Sequence, residues 1–244
     1  MYSMIEDFYR KMTSPGTHAS PSFQQKILTD WLDWITHQAT IKTALDLGSG
    51  LGFNLPALSP FCSQVWATDI SQKALTEAQK NNRILKNIKY MVCAAQNLKF
   101  PTSHFDLIVC TEVLEHLENQ KGVINEVAKV LKPGGFLLIS TPNYLNLTGL
   151  IKFWHDRKAG RQYWEPWGAH TQGVEKHMTP YVLYNLLSQK FKIVKTQVAN
   201  YLLAWLYPLP AFRKHSDRFP LLSLGKLPFL KNFGMQYYIL AQKK

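Results

Sequence analysis

Short apolar runs and amphipathic stretches alternate along the chain, and each kind predicts a different element. The runs, which suit buried strands, lie at 44–47, 65–68, 88–92, 105–110 and 136–140. Apolar residues at helical spacing predict one helix that begins near Ser22 and another that ends at Leu131. The stripe on the first of these helices consists of Phe23, Ile27, Trp31, Leu32 and Ile35. We interpret this stripe as a surface that packs on a sheet, so the alternation indicates an α/β fold.

Polar caps and helix breakers predict where further elements begin and end. Ser71 is a suitable N-cap for a helix over 71–85, and Thr179 before Pro180 suits the start of a helix that reaches residue 187. The Lys-Pro-Gly-Gly sequence at 132–135 predicts a break between a helix and the strand that follows it. Two more strands are predicted at 191–198 and 236–241.

The length of 244 residues suits one α/β domain with a sizeable core. We divide it into an N-terminal cap (1–40), a ligand-binding core (41–144), a substrate cover with insertions (145–234) and a last strand (235–244). Turn signals at 14–16 and 20–21 predict an arm or cap before the first helix. The insertions at 145–176 and 201–234 are rich in aromatic residues, which suits a lid over an apolar substrate.

Several features bear on the compartment. No apolar run reaches the roughly 18–20 residues of a membrane span, and no basic-then-apolar leader indicates a signal peptide. Cys62, Cys93 and Cys110 are widely spaced, which predicts reduced, buried thiols. We therefore expect a cytoplasmic protein. Cations among the apolar residues of 201–234 also suit a peripheral contact with the anionic inner face of a membrane.

The basic charge is concentrated in one half of the chain. The whole chain has a net charge of +12, and residues 145–244 hold 15 Lys and Arg against 4 Asp and Glu, a net charge of +11. Such a bias attracts nucleic acid or an anionic membrane surface. The basic residues are scattered singly, so a role in solubility alone explains them equally well.

The main chemical motif is a glycine loop after the first predicted strand. The sequence from Asp46 to Gly52 reads Asp-Leu-Gly-Ser-Gly-Leu-Gly, and glycines let a backbone approach a ligand without Cβ clashes. Asp69 follows the second strand, where a carboxylate can accept hydrogen bonds from a ribose diol. The spacing Gly-x-Gly-x-Gly differs from the Gly-x-Gly-x-x-Gly of dinucleotide sites, because Phe53 occupies the later position.

This loop, opened by Asp46, resembles motif I of the class I S-adenosylmethionine (SAM) methyltransferases. The strand at 105–110, the Lys-Pro-Gly-Gly break, the strand at 136–140 and the Thr-Pro-Asn at 141–143 follow in that family's order. The resemblance covers about residues 40–145. It implies a Rossmann-like, seven-stranded, mostly parallel sheet with helices on both faces and an antiparallel last strand.

The same resemblance implies SAM as the cofactor and assigns roles to residues. Asp46 and the loop would hold the methionine part of SAM, and Asp69 would bind the ribose hydroxyls. Thr111 would flank the cofactor on the catalytic side. The full set of implied cofactor-binding residues is Asp46, Gly48, Ser49, Gly50, Gly52, Asp69, Ile70, Ala95, Gln96 and Thr111. Ala94 stands where the family usually has a carboxylate, so the adenine amino group needs another acceptor, such as Gln96 or a backbone carbonyl.

Glu112, Glu115 and His116 are the candidate catalytic residues. On a helix they would lie at i, i+3 and i+4 and face one way, which suits a divalent metal such as Mg²⁺ or Zn²⁺ that polarises an acceptor hydroxyl. Similar triplets occur in ubiquinone-biosynthesis O-methyltransferases and in small-RNA terminal 2′-O-methyltransferases. The latter add a downstream His, for which His170 or His177 would be the counterpart. The alternative is a metal-free site in which His116 acts as the base.

We therefore expect a SAM-dependent O-methyltransferase, similar to the ubiquinone-biosynthesis branch, that acts on a small apolar or lipid-like hydroxyl acceptor such as a quinol or phenol. An RNA 2′-O-methyltransferase is the alternative that the basic half favours. A non-catalytic SAM-binding partner subunit is a third, which Ala94 suggests.

Overall fold

The computed structural model describes residues 22–158, 176–199, 234 and 236–244. The helices are α1 (Ser22–Thr36), α2 (Leu55–Leu58), α3 (Gln72–Asn81), α4 (Gln120–Val130), α5 (Leu147–Lys158) and α6 (Pro180–Ser188). The strands are β1 (Thr43–Leu47), β2 (Gln64–Asp69), β3 (Ile88–Val92), β4 (Phe105–Thr111), β5 (Leu131–Pro142), β6 (Phe191–Ala199) and β7 (Gln236–Lys243). Two 3₁₀ turns cover Ser59–Phe61 and Leu114–His116.

The strands form one seven-stranded sheet in the order β3-β2-β1-β4-β5-β7-β6. The pairs from β3 to β5 are parallel, and β7 pairs antiparallel with both β5 and β6. The predicted fold class is therefore confirmed. The chain winds outward from β1 in one direction and then returns to add β4 on the other side, so the switch point of the topology lies between β1 and β4. In open α/β sheets ligands bind outside the carboxyl ends of the strands at this point.

Each face of the sheet buries its own hydrophobic core. Successive residues of β1 alternate between them, with Leu45 in the core under α4 and α6 and Ala44 in the core under α1. The predicted stripe of α1 lies in the second core, where Ile27, Trp31, Leu32 and Ile35 are at most 5% exposed. Its interpretation as a packing surface is confirmed for these four residues, and the placement of α1 puts its first turn beside the loop after β1.

Most predicted boundaries hold, and the caps explain them. The Ser71 hydroxyl accepts a hydrogen bond from Ala74 N, and the Thr179 hydroxyl accepts one from Val182 N, as N-caps do. The prediction that α3 reaches residue 85 is wrong, because the helix ends at Asn81. The side chain of the next residue, Asn82, turns back and donates to the carbonyl oxygens of Gly52 and Ala78, which fastens the end of α3 to the glycine loop.

The predicted break at 132–135 is also different in the structure. Strand β5 begins directly after α4, at Leu131, and Leu131 pairs with Phe105 before an irregularity in the register. Lys132 is held there by Asp106, with 2.6 Å between Nζ and Oδ1. The Pro-Gly-Gly sequence therefore bends a strand instead of separating a helix from it, and Gly134 takes the bend with a φ of 73°.

Other predictions fall partly or wholly outside the described residues. These are the arm at 1–20, most of the aromatic insertions, and His170. The three cysteines are buried and unpaired, as predicted. Within the described part of the chain, none of the helices combines the length and the apolar character needed to cross a membrane.

Candidate active site

The glycine loop leaves the carboxyl end of β1 and makes a tight turn into α2. Gly48, Gly50 and Gly52 all adopt positive φ values, of 72°, 52° and 79°, which side chains other than glycine rarely tolerate. A Cβ on Gly48 would lie 2.4 Å from Val113 Cγ2, and one on Gly52 would lie 2.6 Å from Asn82 Nδ2. The loop therefore requires glycine both for its backbone and for its close contacts.

Asp69 lies at the carboxyl end of β2 and organises the loop. Its Oδ2 accepts a hydrogen bond from Gly50 N at 2.9 Å, and its Oδ1 accepts one from Ser71 N at 2.9 Å. The side chain is 4% exposed. A carboxylate oxygen can accept more than one hydrogen bond, so the two bonds to the loop do not by themselves exclude a ligand hydroxyl as a further donor to Asp69.

Asp46 is fully buried at the end of β1. Burial raises its pKa to about 7, against a hydrogen bond from Asn54 that lowers it, and the nearby charge of Asp69 adds to the rise. Asn54 Nδ2 donates to Oδ1 at 3.0 Å. Within the described residues, Oδ2 of Asp46 and the hydroxyl of Ser49 have no hydrogen-bond partner. Two neighbouring carboxylates and an unsatisfied buried oxygen suit a cationic ligand that donates hydrogen bonds.

A polar network crosses from this carboxylate to the end of β4. Asn54 Nδ2 also donates to Thr111 Oγ1 at 3.0 Å, and Gln24 Nε2 donates to the same oxygen at 3.1 Å. Thr111 thus lies on the other side of the switch point from Asp69. Gln24 comes from α1, which places this helix at the site.

The helical premise for the Glu112, Glu115 and His116 triplet is wrong. Glu112 adopts a left-handed φ of 55°, and only the 3₁₀ turn Leu114–His116 follows it. The carboxylate of Glu112 points back to the sheet, where Ser140 Oγ donates to it at 2.7 Å and Gln236 also bonds to it. In the described ranges, no three His, Cys, Asp or Glu side chains gather into a group that could hold a metal ion.

The Glu112 carboxyl group is enclosed by protein, although part of the residue remains accessible. Burial raises its pKa to about 7, and the hydrogen bonds from Ser140 and Gln236 moderate the rise. A left-handed conformation at a residue other than glycine stores strain, and such residues occur often at functional sites. Here the left-handed backbone conformation turns the side chain of Glu112 toward Ser140 on β5 and Gln236 on β7.

Glu115 and His116 remain neighbours without Glu112. The side chain of Glu115 is 1% exposed and that of His116 is 43% exposed, with 3.9 Å between Glu115 Oε1 and His116 Nε2. Lys176 N donates to Glu115 O at 2.9 Å, and Tyr144 N donates to Met178 O at 2.9 Å. The intervening residue, His177, is therefore held between the 3₁₀ turn and the chain that follows β5.

The residues predicted for adenine lie beyond the end of β3. Cys93 N donates to Asp69 O at 2.9 Å, which brings this segment beside Asp69. Ala95 is buried, Ile70 is partly exposed and Gln96 is exposed. They share one edge of the sheet with the glycine loop.

Sequence reasoning missed two of the residues that shape this site. Gln24 gave no signal, because a glutamine in the first turn of an amphipathic helix is ordinary. Asn54, directly after the glycine loop and Phe53, gave a weak signal, since an asparagine before Leu-Pro suits a turn. Its contact with Asp46 depends on how the loop turns back on the strand.

The sequence is similar to those of known methyltransferases. Residues 45–139 match the methyltransferase domain family. The chain is 34% identical over 121 residues to the ubiquinone biosynthesis O-methyltransferase of Albidiferax ferrireducens, a match that covers 46% of each chain. It is 37% identical over 99 residues to the thiol S-methyltransferase TMT1B of Rattus norvegicus, which covers 39% of this chain and 40% of the relative. The chain thus matches these curated relatives over less than half of their length.

The fold also occurs in solved structures. The N-methyltransferase NodS from Bradyrhizobium japonicum, in complex with S-adenosyl-L-homocysteine (SAH), superposes with a TM-score of 0.62 at 16% identity, over 98% of both chains. Identity at this level shows the fold alone. Sequence match and sheet topology agree: residues 45–139 are similar to the methyltransferase domain family, and the seven-stranded sheet has the fold of the solved methyltransferase structures.

Proposed function

We propose that this protein binds SAM and transfers a methyl group to the hydroxyl of a small apolar acceptor, such as a phenol, a quinol or a lipid-like alcohol. The observation that carries the proposal is the pair of buried carboxylates, Asp46 and Asp69, at the carboxyl ends of adjacent strands. They flank a glycine loop at the switch point of the sheet, where this kind of fold binds its ligands.

SAM fits this site on chemical grounds. The unsatisfied Oδ2 of Asp46 and the hydroxyl of Ser49 suit an ammonium group, and buried negative charge suits a cationic ligand. The positive φ values of Gly48, Gly50 and Gly52 hold the loop in its tight turn at the end of β1. Asp69 lies beside this loop, where a carboxylate can accept hydrogen bonds from ribose hydroxyls. When bound, SAM supplies an electrophilic methyl group.

We assign the role of general base to His116. In this assignment His116 would take the proton of the acceptor hydroxyl as the acceptor oxygen bonds to the methyl carbon. The bond from that carbon to the sulfonium sulfur would break and leave SAH, and Glu115 would stabilise the imidazolium that forms. The exposed imidazole beside a buried carboxylate supports the assignment, because a substrate can reach the ring from solvent. Positioning of the acceptor by the chain would supply much of the remaining rate enhancement.

Aromatic residues next to the candidate base support an apolar acceptor. The rings of Tyr144 and His177 meet edge to face at 5.2 Å, His177 and Phe153 at 6.0 Å, and Phe153 and Trp154 at 6.1 Å. Phe153 and Trp154 are 42% and 59% exposed. These rings offer a face to which a planar apolar molecule would bind. The similarity to an O-methyltransferase of ubiquinone biosynthesis also favours a hydroxyl acceptor.

Methylation of RNA is the second candidate, and the net charge of +11 over residues 145–244 favours it. The two candidates differ in their dependence on salt, since phosphate contacts weaken steeply with ionic strength.

Calorimetry with SAM and SAH tests the proposal first. The protein is treated with a chelator and titrated with and without Mg²⁺. Saturable binding of both compounds, and methyl transfer from SAM to a phenol that His116→Ala abolishes while SAH binding persists, are the expected results. The absence of SAM and SAH binding under both conditions would overturn the cofactor assignment, and turnover that requires Mg²⁺ would overturn the metal-free role of His116.

A further inference from the structure

A chain of hydrogen bonds runs from the first turn of α1 to the buried carboxylate at the end of β1. Gln24 Nε2 donates to Asn54 Oδ1 at 2.9 Å and to Thr111 Oγ1 at 3.1 Å. Asn54 Nδ2 donates to Asp46 Oδ1 at 3.0 Å and to Thr111 Oγ1 at 3.0 Å. The first turn of α1, the loop after β1 and the end of β4 therefore meet at one glutamine.

The network fixes the orientation of the Asn54 side chain. An amide has one acceptor end and one donor end. Because Gln24 donates to the oxygen of Asn54, the nitrogen of Asn54 must face Asp46, where it supports the ionised form of the carboxylate. A rotated Asn54 would place its oxygen against both the carboxylate and the acceptor lone pairs of Thr111.

The same network gives the Thr111 hydroxyl a direction. A hydroxyl has two acceptor lone pairs and one hydrogen. Gln24 and Asn54 occupy both lone pairs, so the hydrogen of Thr111 is left to donate. The end of β4 at the switch point thus presents a hydrogen-bond donor to the site.

We propose that Gln24 is a positioning residue. Through Asn54 it holds Asp46 for the ammonium group of SAM, and through its own bond to Thr111 it keeps the Thr111 hydroxyl as a donor. This inference rests on the proposed function, because it assigns the two residues that Gln24 controls to the SAM site. It gives α1 a role at the site beyond its packing on the sheet.

The neighbouring residue provides a matched control. Gln25 is partly buried, as Gln24 is, and its Nε2 donates to Phe53 O at 3.1 Å. Gln24→Met and Gln25→Met each replace a glutamine with an unbranched side chain of similar length and remove one amide at adjacent positions. They differ in whether the amide belongs to the network around Asp46.

The test that needs no ligand follows the Asp46 carboxyl carbon by ¹³C NMR as a function of pH. Without Gln24, the Asn54 amide is no longer oriented toward Asp46, and the ionised carboxylate loses the support of a hydrogen bond. Gln24→Met should therefore raise the pKa of Asp46 by roughly half to one pH unit, the equivalent of one ordinary hydrogen bond. Gln25→Met should leave it unchanged. The titratable groups around Asp46 are Asp69 on β2 and Cys110 on β4, and both are the same in all variants.

The second test is SAH affinity by calorimetry at pH 7. Gln24→Met should bind SAH about two- to tenfold more weakly than Gln25→Met. An unchanged pKa of Asp46 together with unchanged SAH affinity in Gln24→Met would overturn the inference and leave the proposed function intact. If the wild-type protein did not bind SAH, the proposed function would fail, and the link from Gln24 to the SAM site would fail with it.

A double-mutant cycle separates action through Asn54 from a general effect on the fold. If Gln24 works through Asn54, Gln24→Met should have almost no further effect on the pKa of Asp46 once Asn54→Ala is present. Additive effects of the two substitutions would contradict the proposal. Equal thermal unfolding midpoints of the two methionine variants would show that the pKa difference is not caused by a loss of folding.

Discussion

At the scale of single residues, the glycine loop is where one side chain decides whether a ligand can bind. Gly50 combines a positive φ with a backbone amide that donates to Asp69. A β-branched residue is strained in this conformation and places a Cβ where the backbone would meet the ligand.

We therefore expect Gly50→Val to abolish SAM binding in calorimetry, with a smaller effect on folding. The matched variant is Gly134→Val, at another glycine with positive φ but in the bend of β5, where no atom lies within 4 Å of an added Cβ. Gly134→Val should carry the backbone strain alone and still bind SAM. Wild-type affinity in Gly50→Val would contradict the assignment of the loop.

The protonation of Asp46 predicts a pH dependence of binding. Its pKa of about 7 means that part of the population is protonated near neutral pH, and an ammonium group at Oδ2 would favour the carboxylate. SAH should therefore bind more tightly as the pH rises from about 6 to 8, with release of a proton. Calorimetry in buffers of different ionisation enthalpy measures that proton, and Asp46→Asn should remove both the release and the pH dependence.

The raised pKa of Asp46 has the opposite effect on folding stability: it destabilises the folded protein as the pH rises. Below pH 7 the folded protein retains the proton of Asp46, whereas the unfolded chain loses it above its ordinary pKa of 3.8. This group therefore contributes stability at low pH that is lost as the pH rises from about 4 to 7. Asp46 favours ligand binding where it opposes folding, which is a common feature of functional sites.

At the scale of elements, Asp106 joins the start of β1, the start of β4 and the bend of β5. Its Oδ2 accepts hydrogen bonds from Lys42 N, Thr43 N and the Thr43 hydroxyl, at 2.8–3.1 Å, and its Oδ1 accepts one from Lys132 Nζ. Burial opposes ionisation of Asp106, but the hydrogen bonds from Lys132 and Thr43 outweigh it and hold the pKa below its usual value.

We expect Asp106→Asn to lower the free energy of unfolding by about 1–3 kcal/mol at pH 7. Because the folded-state pKa is depressed, this stability is present above pH 4 and is lost as the pH falls through the folded-state value, so the difference from wild type should shrink in acid. Urea unfolding at several pH values measures it. The control is Glu77→Gln, in the solvent-exposed pair with Lys80, which should cost less than about 0.5 kcal/mol. Equal effects of the two variants would contradict the role of Asp106.

At the scale of the whole molecule, the concentration of basic charge in residues 145–244 raises the question whether the acceptor is RNA or a small molecule, and salt dependence distinguishes the two. For a small uncharged acceptor, raising the salt from about 50 to 200 mM should leave turnover nearly unchanged, whereas an RNA substrate bound through several phosphates would lose affinity by orders of magnitude. Rates measured with a phenol and with a single-stranded RNA at both salt concentrations make the comparison. RNA methylation that falls steeply with salt, without any transfer to phenols, would contradict the small-acceptor proposal.

The elements and the fold class followed from the sequence because their causes are local. Apolar spacing placed α1 and the strands, and the Ser71 and Thr179 caps marked two helix starts. Errors occurred where a distant side chain decides the outcome. Asn82 ends α3 by bonding to Gly52, and Asp106 holds Lys132 so that β5 begins directly after α4.

By itself, the sequence determined the glycine loop and the two carboxylates at strand ends, since a short motif and the alternation of elements bring these residues to one edge of a parallel sheet. Only the tertiary structure decided which side chains surround Asp46 and that Glu112 bonds to the sheet, away from Glu115 and His116. Gln24 reaches Thr111 across 87 positions, and Ser140 reaches Glu112 across 28. Hydrogen bonds of this kind depend on how α1 and β5 pack against β1 and β4, and no local periodicity records that packing.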